Sequence, residues 1–362
     1  MGKEKVEVVA AAAGILFLFS KWKRIREPME VGSVGSSLEG GGRQSLYGNP
    51  KVMDLSNCSQ VTEFIVLGLP HLEKMNSTLF VVVLLLYLLC ITGNGLIIVT
   101  VILDHHLQTP MYFFLCNFSV IEIGHTTAFM PKMLANLMSG TTTICFNCCM
   151  AQFFFYFVFG STEFFILAVM SFDRYLAICK PLRYNSIMTS NVCLQLALVA
   201  WCGGFFSILL EFLMLVRLPF CSSNIINHFY CDFGPLLKIA GGDTKHIEVL
   251  FFLVGSAITL TSLLLTVLSY IFITITILRM SSSSGRQKAF STCASHLAVV
   301  SILYGAVIFI YLRPTVKTSA LSLNKVVAIL NMMVAPVLNP FIYTIRNHDV
   351  KEALRKAFGR KT

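Results

Sequence analysis

Charge is what this sequence has least of. Only 13% of its 362 residues are Asp, Glu, Lys or Arg, and just 18 of them are acidic. A soluble domain carries about a quarter of its residues as charges to cover its surface, so composition argues against a soluble enzyme of this length. Tryptophan is scarce as well, with 2 residues against 30 Phe. No internal repeat is visible, which argues against the paired halves of a secondary transporter. No nucleophile and no metal-ligating cluster stands out, so no catalytic residue, metal or cofactor is assigned. What the chain has in excess is apolar: 56% of it is hydrophobic and its mean hydropathy is +0.74.

A helix needs about 20 apolar residues to cross a bilayer. Runs of that kind fall at about Leu79–Ile102, Met111–Leu137, Cys148–Cys179, Val192–Val216, Ile247–Leu278, Phe290–Leu312 and Leu323–Ile345. They predict an all-α membrane protein, a seven-transmembrane-helix bundle over residues 79–345. The net charge of +10 is no nucleic-acid footprint, because the basic residues sit in short connections beside the spans: Lys180, Arg183, Arg279, Arg286, Lys288, Arg346, Lys351, Arg355 and Lys356. Connections dense in Lys and Arg stay on the cytoplasmic side. The bias predicts an extracellular N-terminus and a cytoplasmic C-terminus. In the tail, residues 346–362, the charges of Asp349, Lys351, Glu352, Arg355 and Lys356 alternate with Val350, Leu354 and Phe358, as a short amphipathic helix in the membrane interface would need.

Residues 1–52 do not share this pattern. Val8–Phe19 is apolar but too short to span, and its basic residues Lys21, Lys23, Arg24 and Arg26 follow it, the reverse of a secretory signal. The Gly/Ser-rich stretch Gly32–Gly42 reads as disordered. The segment is expected to be an extension outside the folded unit, with Met53 a plausible start and residues 53–78 an extracellular tail.

Along the third span Cys149, Phe153, Tyr156, Gly160, Glu163, Leu167, Met170 and Arg174 recur at steps of three and four, which places them on one helix face. That face holds an acid and an arginine, so it should point into the bundle, away from lipid. Its first half is aromatic and small, as a pocket for an apolar molecule requires. Glu122 and Glu163 fall at similar depth with Asn94 and Asn339 near. This reads as a buried polar cluster, a hinge or cation site. Pro340 breaks the seventh helix's ladder beside Asn339, which can re-satisfy freed carbonyls. Cys293 and His296 stand one turn apart, too few to hold a metal.

More specific signals lie at the span ends. The third span closes on Met170-Ser171-Phe172-Asp173-Arg174-Tyr175-Leu176-Ala177-Ile178-Cys179, and the seventh on Pro336-Val337-Leu338-Asn339-Pro340-Phe341-Ile342-Tyr343. To these add Leu107-Gln108-Thr109-Pro110-Met111-Tyr112-Phe113-Phe114, Pro131-Lys132-Met133-Leu134, Ser269-Tyr270 and Lys288-Ala289-Phe290-Ser291-Thr292-Cys293-Ala294-Ser295-His296. In this order and on these spans, the set resembles the olfactory receptors, in their tetrapod-type branch, within the rhodopsin-like G-protein-coupled receptors. The resemblance covers about Asn57 to the C-terminus. The chain departs from it mildly, with Ser171 and Phe172 where the family usually has Ala and Tyr, and Glu122 where it often has Asp.

The resemblance implies an odorant receptor in the plasma membrane. Such a receptor binds a small, mostly apolar volatile ligand and activates a stimulatory heterotrimeric G protein that raises cyclic AMP. It puts the ligand among the outer halves of spans three, five, six and seven, at Phe157, Gly160, Ser161, Ile258, Thr259, Tyr304, Val307, Tyr311 and Met332. It assigns coupling and switching to Asp173, Arg174, Tyr175, Tyr270, His296, Asn339, Pro340 and Tyr343. It pairs Cys149 with Cys231. The family's second bridge runs from Cys221 to a Cys near position 241, where this chain has Gly241. That leaves Cys221 free, the favoured reading, or bonded to Cys145 or Cys148. Asn57-Cys58-Ser59 is a glycosylation sequon in the expected outer tail.

If residues 1–52 lie outside the folded unit, their deletion should leave surface expression and signalling unchanged or improved, as flow cytometry and a reporter assay would show. Loss of surface receptor would instead identify the segment as a working signal.

Overall fold

In the computed structural model the structure describes residues 61–68, 75–221, 223–312 and 330–346. The chain divides into two units, Met1–Asp54 and Leu55–Thr362, and all the described residues fall in the second. The expected N-terminal extension, the sequon at Asn57 and the amphipathic tail helix lie outside the described residues.

Among the described residues seven helices make up the bundle: α1 (Asn76–Leu103), α2 (Pro110–Ser139), α3 (Phe146–Cys179), α4 (Ser190–Val216), α5 (Lys245–Arg279), α6 (Ser283–Leu312) and the shorter α7 (Ala335–Arg346), the last preceded by a π-helical turn at Leu330–Val334. Five of them, α1 to α5, are long and apolar enough by themselves to cross a membrane. The bounds of α1 to α5 fall within three residues of the apolar runs, and the first part of the seventh run, residues 323–329, lies outside the described residues. α6 is different, beginning seven residues before Phe290, because the polar segment Ser283–Ala289 continues the helix beyond the apolar core.

Local chemistry sets several ends. α2 opens on Thr109 in extended conformation followed by Pro110, whose fixed φ suits a first turn, and closes on Gly140 in the left-handed region at φ 67°. Thr189 caps α4, its Oγ1 accepting the Val192 N–H. At α3 the cap is Cys145, whose Sγ accepts the Cys148 N–H at 3.0 Å.

α3 is the central post, packing against α2, α4, α5 and α6. It approaches α4 closely. A Cβ at Gly204 would collide with Thr162 Oγ1 and would stand 2.9 Å and 3.0 Å from the Thr162 backbone N and Cα. Only glycine fits there. Elsewhere, Trp201 Nε1 donates to Asn117 Oδ1 at 3.0 Å and ties α4 to α2.

A three-stranded sheet lies at the end of the bundle where α3 begins, an element that the expectation of an extracellular tail over residues 53–78 did not include. β1 (Glu63–Val66) is the middle strand, antiparallel to β2 (Thr143–Cys145) and parallel to β3 (Ile225–Ile226). Phe64 is fully buried and its ring meets those of Phe146 and Phe220 at 5.7 Å and 5.5 Å. The residues just before α1 thus join the two loops at this strand end.

Two bridges between described residues hold the same end. Cys149 is bonded to Cys231, and Cys145 to Cys148. The favoured reading of a free Cys221 is overturned, since Cys221 is disulfide-bonded. Cys145 and Cys148 are not its partners. They stand at the cap and third residue of α3 with Cα atoms 5.1 Å apart, inside the range a disulfide spans, and so pair with each other.

The α3–α4 contact yields a packing test. Gly204→Ala is expected to cut surface receptor several-fold, since overpacking costs about 1–3 kcal/mol or more. Gly255→Ala on α5, with nothing within 4 Å of the added carbon, should leave it unchanged. Equal surface staining of the two variants would refute the contact.

Candidate functional site

Three groups of side chains lie along α3. Nearest the strand end is an aromatic wall. Phe157 meets Phe153 at 4.7 Å and Phe251 of α5 edge-on at 5.1 Å. Phe251 in turn stacks on Phe233 at 3.7 Å. Gly160 faces α2, where an added Cβ would find only His125 Cε1, at 3.8 Å. Ser161, Ile258 and Thr259 are half-buried. Tyr304 of α6 is 3% exposed, and its Oη donates to Ser262 Oγ of α5 at 2.8 Å while its ring lies 5.6 Å from Phe164. Tyr304 and α5 are therefore already linked through Ser262, one turn on from Thr259. Met332 is buried among Val83, Phe129, Met130 and Tyr230, in a separate apolar cluster against α1 and α2. The side chains of Val307 and Tyr311 lie outside the described residues.

The second group is polar and buried. Asn339 of α7 donates from Nδ2 to Glu122 Oε1 of α2. Asn94 of α1 donates to Pro336 O of α7 at 3.2 Å and to Cys90 O in its own helix at 3.0 Å. Glu163 faces His125 Nδ1 at 3.8 Å. The four residues of the expected cluster thus sort into two links to α7 and one acid–imidazole pair. His125 is the member the sequence reading omitted. Nothing in its apolar surroundings flagged it, because its partner comes from another helix. Glu211 of α4 was also missed. It is 1% exposed, and neither carboxyl oxygen has a hydrogen-bond partner among the described residues. Among the same residues no cluster of three ligating side chains could hold a metal ion.

The third group lies at the other end of α3. Asp173 is fully buried and accepts Arg174 Nε at 3.1 Å and Arg174 Nη2 on the same oxygen. Its other oxygen accepts Tyr184 Oη at 2.7 Å. Tyr184 sits on the short helix Pro181–Ile187 that follows α3. Burial, and next the negative charge of Asp173, hold its phenol above the ordinary range, so it remains a donor at neutral pH. Tyr184 carried no signal in the sequence, since an exposed-looking turn after the span gives no periodicity to read. Tyr175 points elsewhere, its ring 5.8 Å from Phe272 of α5. Tyr270 Oη and His296 Nδ1 share a hydrogen bond of 2.7 Å between α5 and α6. Ser171, where the family usually has Ala, donates to Leu167 O at 2.8 Å and stands 3.1 Å from Thr266 Oγ1 of α5. Pro340 packs on α1 at Gly93, where an added Cβ would come within 3.0 Å of it. The side chain of Tyr343 lies outside the described residues.

A helical bundle built round one buried post that ends in an Asp–Arg pair is the architecture of a rhodopsin-type receptor. The solved structure of squid rhodopsin superposes with a TM-score of 0.61, covering 79% of this chain and 86% of that one at 14% identity, which establishes the fold. The chain belongs to the olfactory receptor family, whose profile matches residues 83–361. Human olfactory receptor 6X1 is 53% identical over 84% of this chain and 97% of its own length, and human olfactory receptor 6C1 51% identical over 85% and 98%. The protein is an odorant receptor, a seven-helix membrane receptor and not an enzyme.

Tyr184 offers a direct test of the Asp173–Arg174 latch. A hydrogen bond to a charged group is worth roughly 1.5–3 kcal/mol, and Tyr184→Phe removes this one with little loss of packing. Ligand-independent signalling is expected to rise at least several-fold at matched surface level. A basal signal equal to wild type would show that the contact holds nothing shut.

Proposed function

We propose that this receptor converts the binding of a small, mostly apolar volatile molecule into activation of a stimulatory heterotrimeric G protein, which raises cyclic AMP. In this reading the ligand sits towards the strand end, against Phe157, Gly160, Ser161, Ile258, Thr259, Tyr304, Val307 and Tyr311. Met332, packed in its own cluster, contributes through shape alone. The G protein meets the opposite end, where Asp173, Arg174 and Tyr175 are the switch, coupled to Tyr270, His296, Asn339, Pro340 and Tyr343. The N-terminus, glycosylated at Asn57, faces the exterior of the plasma membrane and the C-terminus the cytoplasm. That orientation is supported by the dense basic residues at the Arg174 end, which resist translocation.

The observation that carries the reading is the state of Arg174. Arg174 is 8% exposed and its guanidinium is held by Asp173, so a partner at that end can engage it only after the latch opens. α3 runs unbroken from the aromatic wall to the latch, so one rigid element touches both ends. The few polar handles, the Tyr304–Ser262 pair among them, suit a ligand with at most one or two hydrogen-bonding atoms.

Arg174→Ala should therefore abolish ligand-driven cyclic AMP while surface receptor stays measurable. A broad odorant panel with a cyclic-AMP reporter checks both halves. A normal response from that variant would remove the reason for placing coupling at this end.

A further inference from the structure

We propose that the cleft between α2 and α3 at the strand end is a covalent capture site for small apolar thiols, with the Cys145–Cys148 disulfide as the reacting group. A cavity of about 320 Å³ opens there, lined by Lys132 and by both sulfur-bearing residues, with Ala128, Ala151 and Phe155 as its apolar wall. That is room for one small molecule. The Cys145–Cys148 and Cys149–Cys231 bridges differ in access. Cys149 and Cys231 are fully buried, whereas Cys145 and Cys148 are exposed.

Lys132 belongs to the Pro131-Lys132-Met133-Leu134 stretch. Met133 and Leu134 are explained by burial against α1 and the π-helical turn. Lys132 makes no ion pair with any described residue. Lys132 lines a cavity whose wall is otherwise mostly apolar, so its positive charge is placed to attract a negative ligand atom. A thiolate is the one such atom that also attacks a disulfide readily.

The geometry fixes which sulfur leaves. The thiol gives its proton to water, and the thiolate attacks Cys148 Sγ. A bond forms between the ligand sulfur and Cys148 Sγ as the bond from Cys148 Sγ to Cys145 Sγ breaks, and the electron pair leaves on Cys145 Sγ. That sulfur already accepts the Cys148 N–H at 3.0 Å and caps α3, where the positive end of the helix dipole stabilises a thiolate. One disulfide is exchanged for another, so no outside oxidant or reductant is required. Return attack by Cys145 restores the bridge and frees the thiol. The alkyl chain lies along Ala128, Ala151 and Phe155.

The test uses the full chain in cell membranes and does not depend on signalling, so its failure is distinct from failure of the receptor reading. Membranes are treated with 1-hexanethiol, quenched with iodoacetamide and digested without reductant for peptide mass mapping. The expected peptide carries a hexylthio group on Cys148 and a carbamidomethyl group on Cys145, and 1-hexanol leaves neither. Lys132→Gln should slow adduct formation about fivefold, the order expected for losing one nearby unit charge in water, and Lys132→Arg should restore it. Cys145→Ser/Cys148→Ser should take no adduct, and if that variant fails to reach the membrane the wild-type map still decides. Absence of the Cys148 adduct, equal labelling of Cys149, Cys221 or Cys231, or a Lys132→Gln rate equal to wild type each overturns the proposal.

Discussion

A helix surrounded by other helices inside a bilayer must satisfy every polar group it carries within the protein, because lipid offers no partner. α3 is where that constraint bears hardest. It packs against α2, α4, α5 and α6 and buries Gln152, Thr162, Glu163, Ser171, Asp173 and Arg174. Each finds its partner in a specific way. Gln152 donates to Ala128 O and accepts the Cys231 N–H, so it joins α2 to the loop behind the Cys149–Cys231 bridge. Ser171 reaches α5 and Asp173 reaches Tyr184. The other helices are positioned by the demands of this one.

The same constraint gives the two ends different character. The strand end is held by covalent bonds, a small sheet and a dense aromatic cluster, and the Cys149–Cys231 bridge closes a separation of 82 residues. The Arg174 end is held by reversible polar contacts: an ion pair, a phenol and a tyrosine–histidine hydrogen bond. Disulfides and packed rings resist rearrangement, whereas charge-assisted contacts exchange readily with those of an incoming partner. The asymmetry suits a molecule that must hold a recognition surface constant while its other end switches.

Glycine contributes to this design at particular places. Gly204 permits α4 to touch the backbone of α3 at Thr162, and Gly93 permits α1 to accept the ring of Pro340. With no hydrophobic drive between helices in lipid, such close backbone approach is what dispersion forces need to hold a bundle together.

The sequence alone determined the spans, because a 20-residue apolar run has one stable use in a bilayer and its length is legible without any partner. It also determined the family, since Asp173-Arg174-Tyr175 and Asn339-Pro340 stand on the right helices in the right order. It showed which face of α3 turns inward, since Glu163 and Arg174 share that face. Only the tertiary structure decided the rest. Contacts between helices carry no periodicity, so His125 opposite Glu163, Tyr184 on Asp173 and Ser262 on Tyr304 left no mark in the chain. β1 went unread within the expected tail because the strands that pair with it come from loops about 80 and 160 residues away. Composition could count the cysteines but not pair them: Cys145 bonds Cys148 because the first turn of α3 brings them to 5.1 Å, a distance set by the helix and not by the number of thiols.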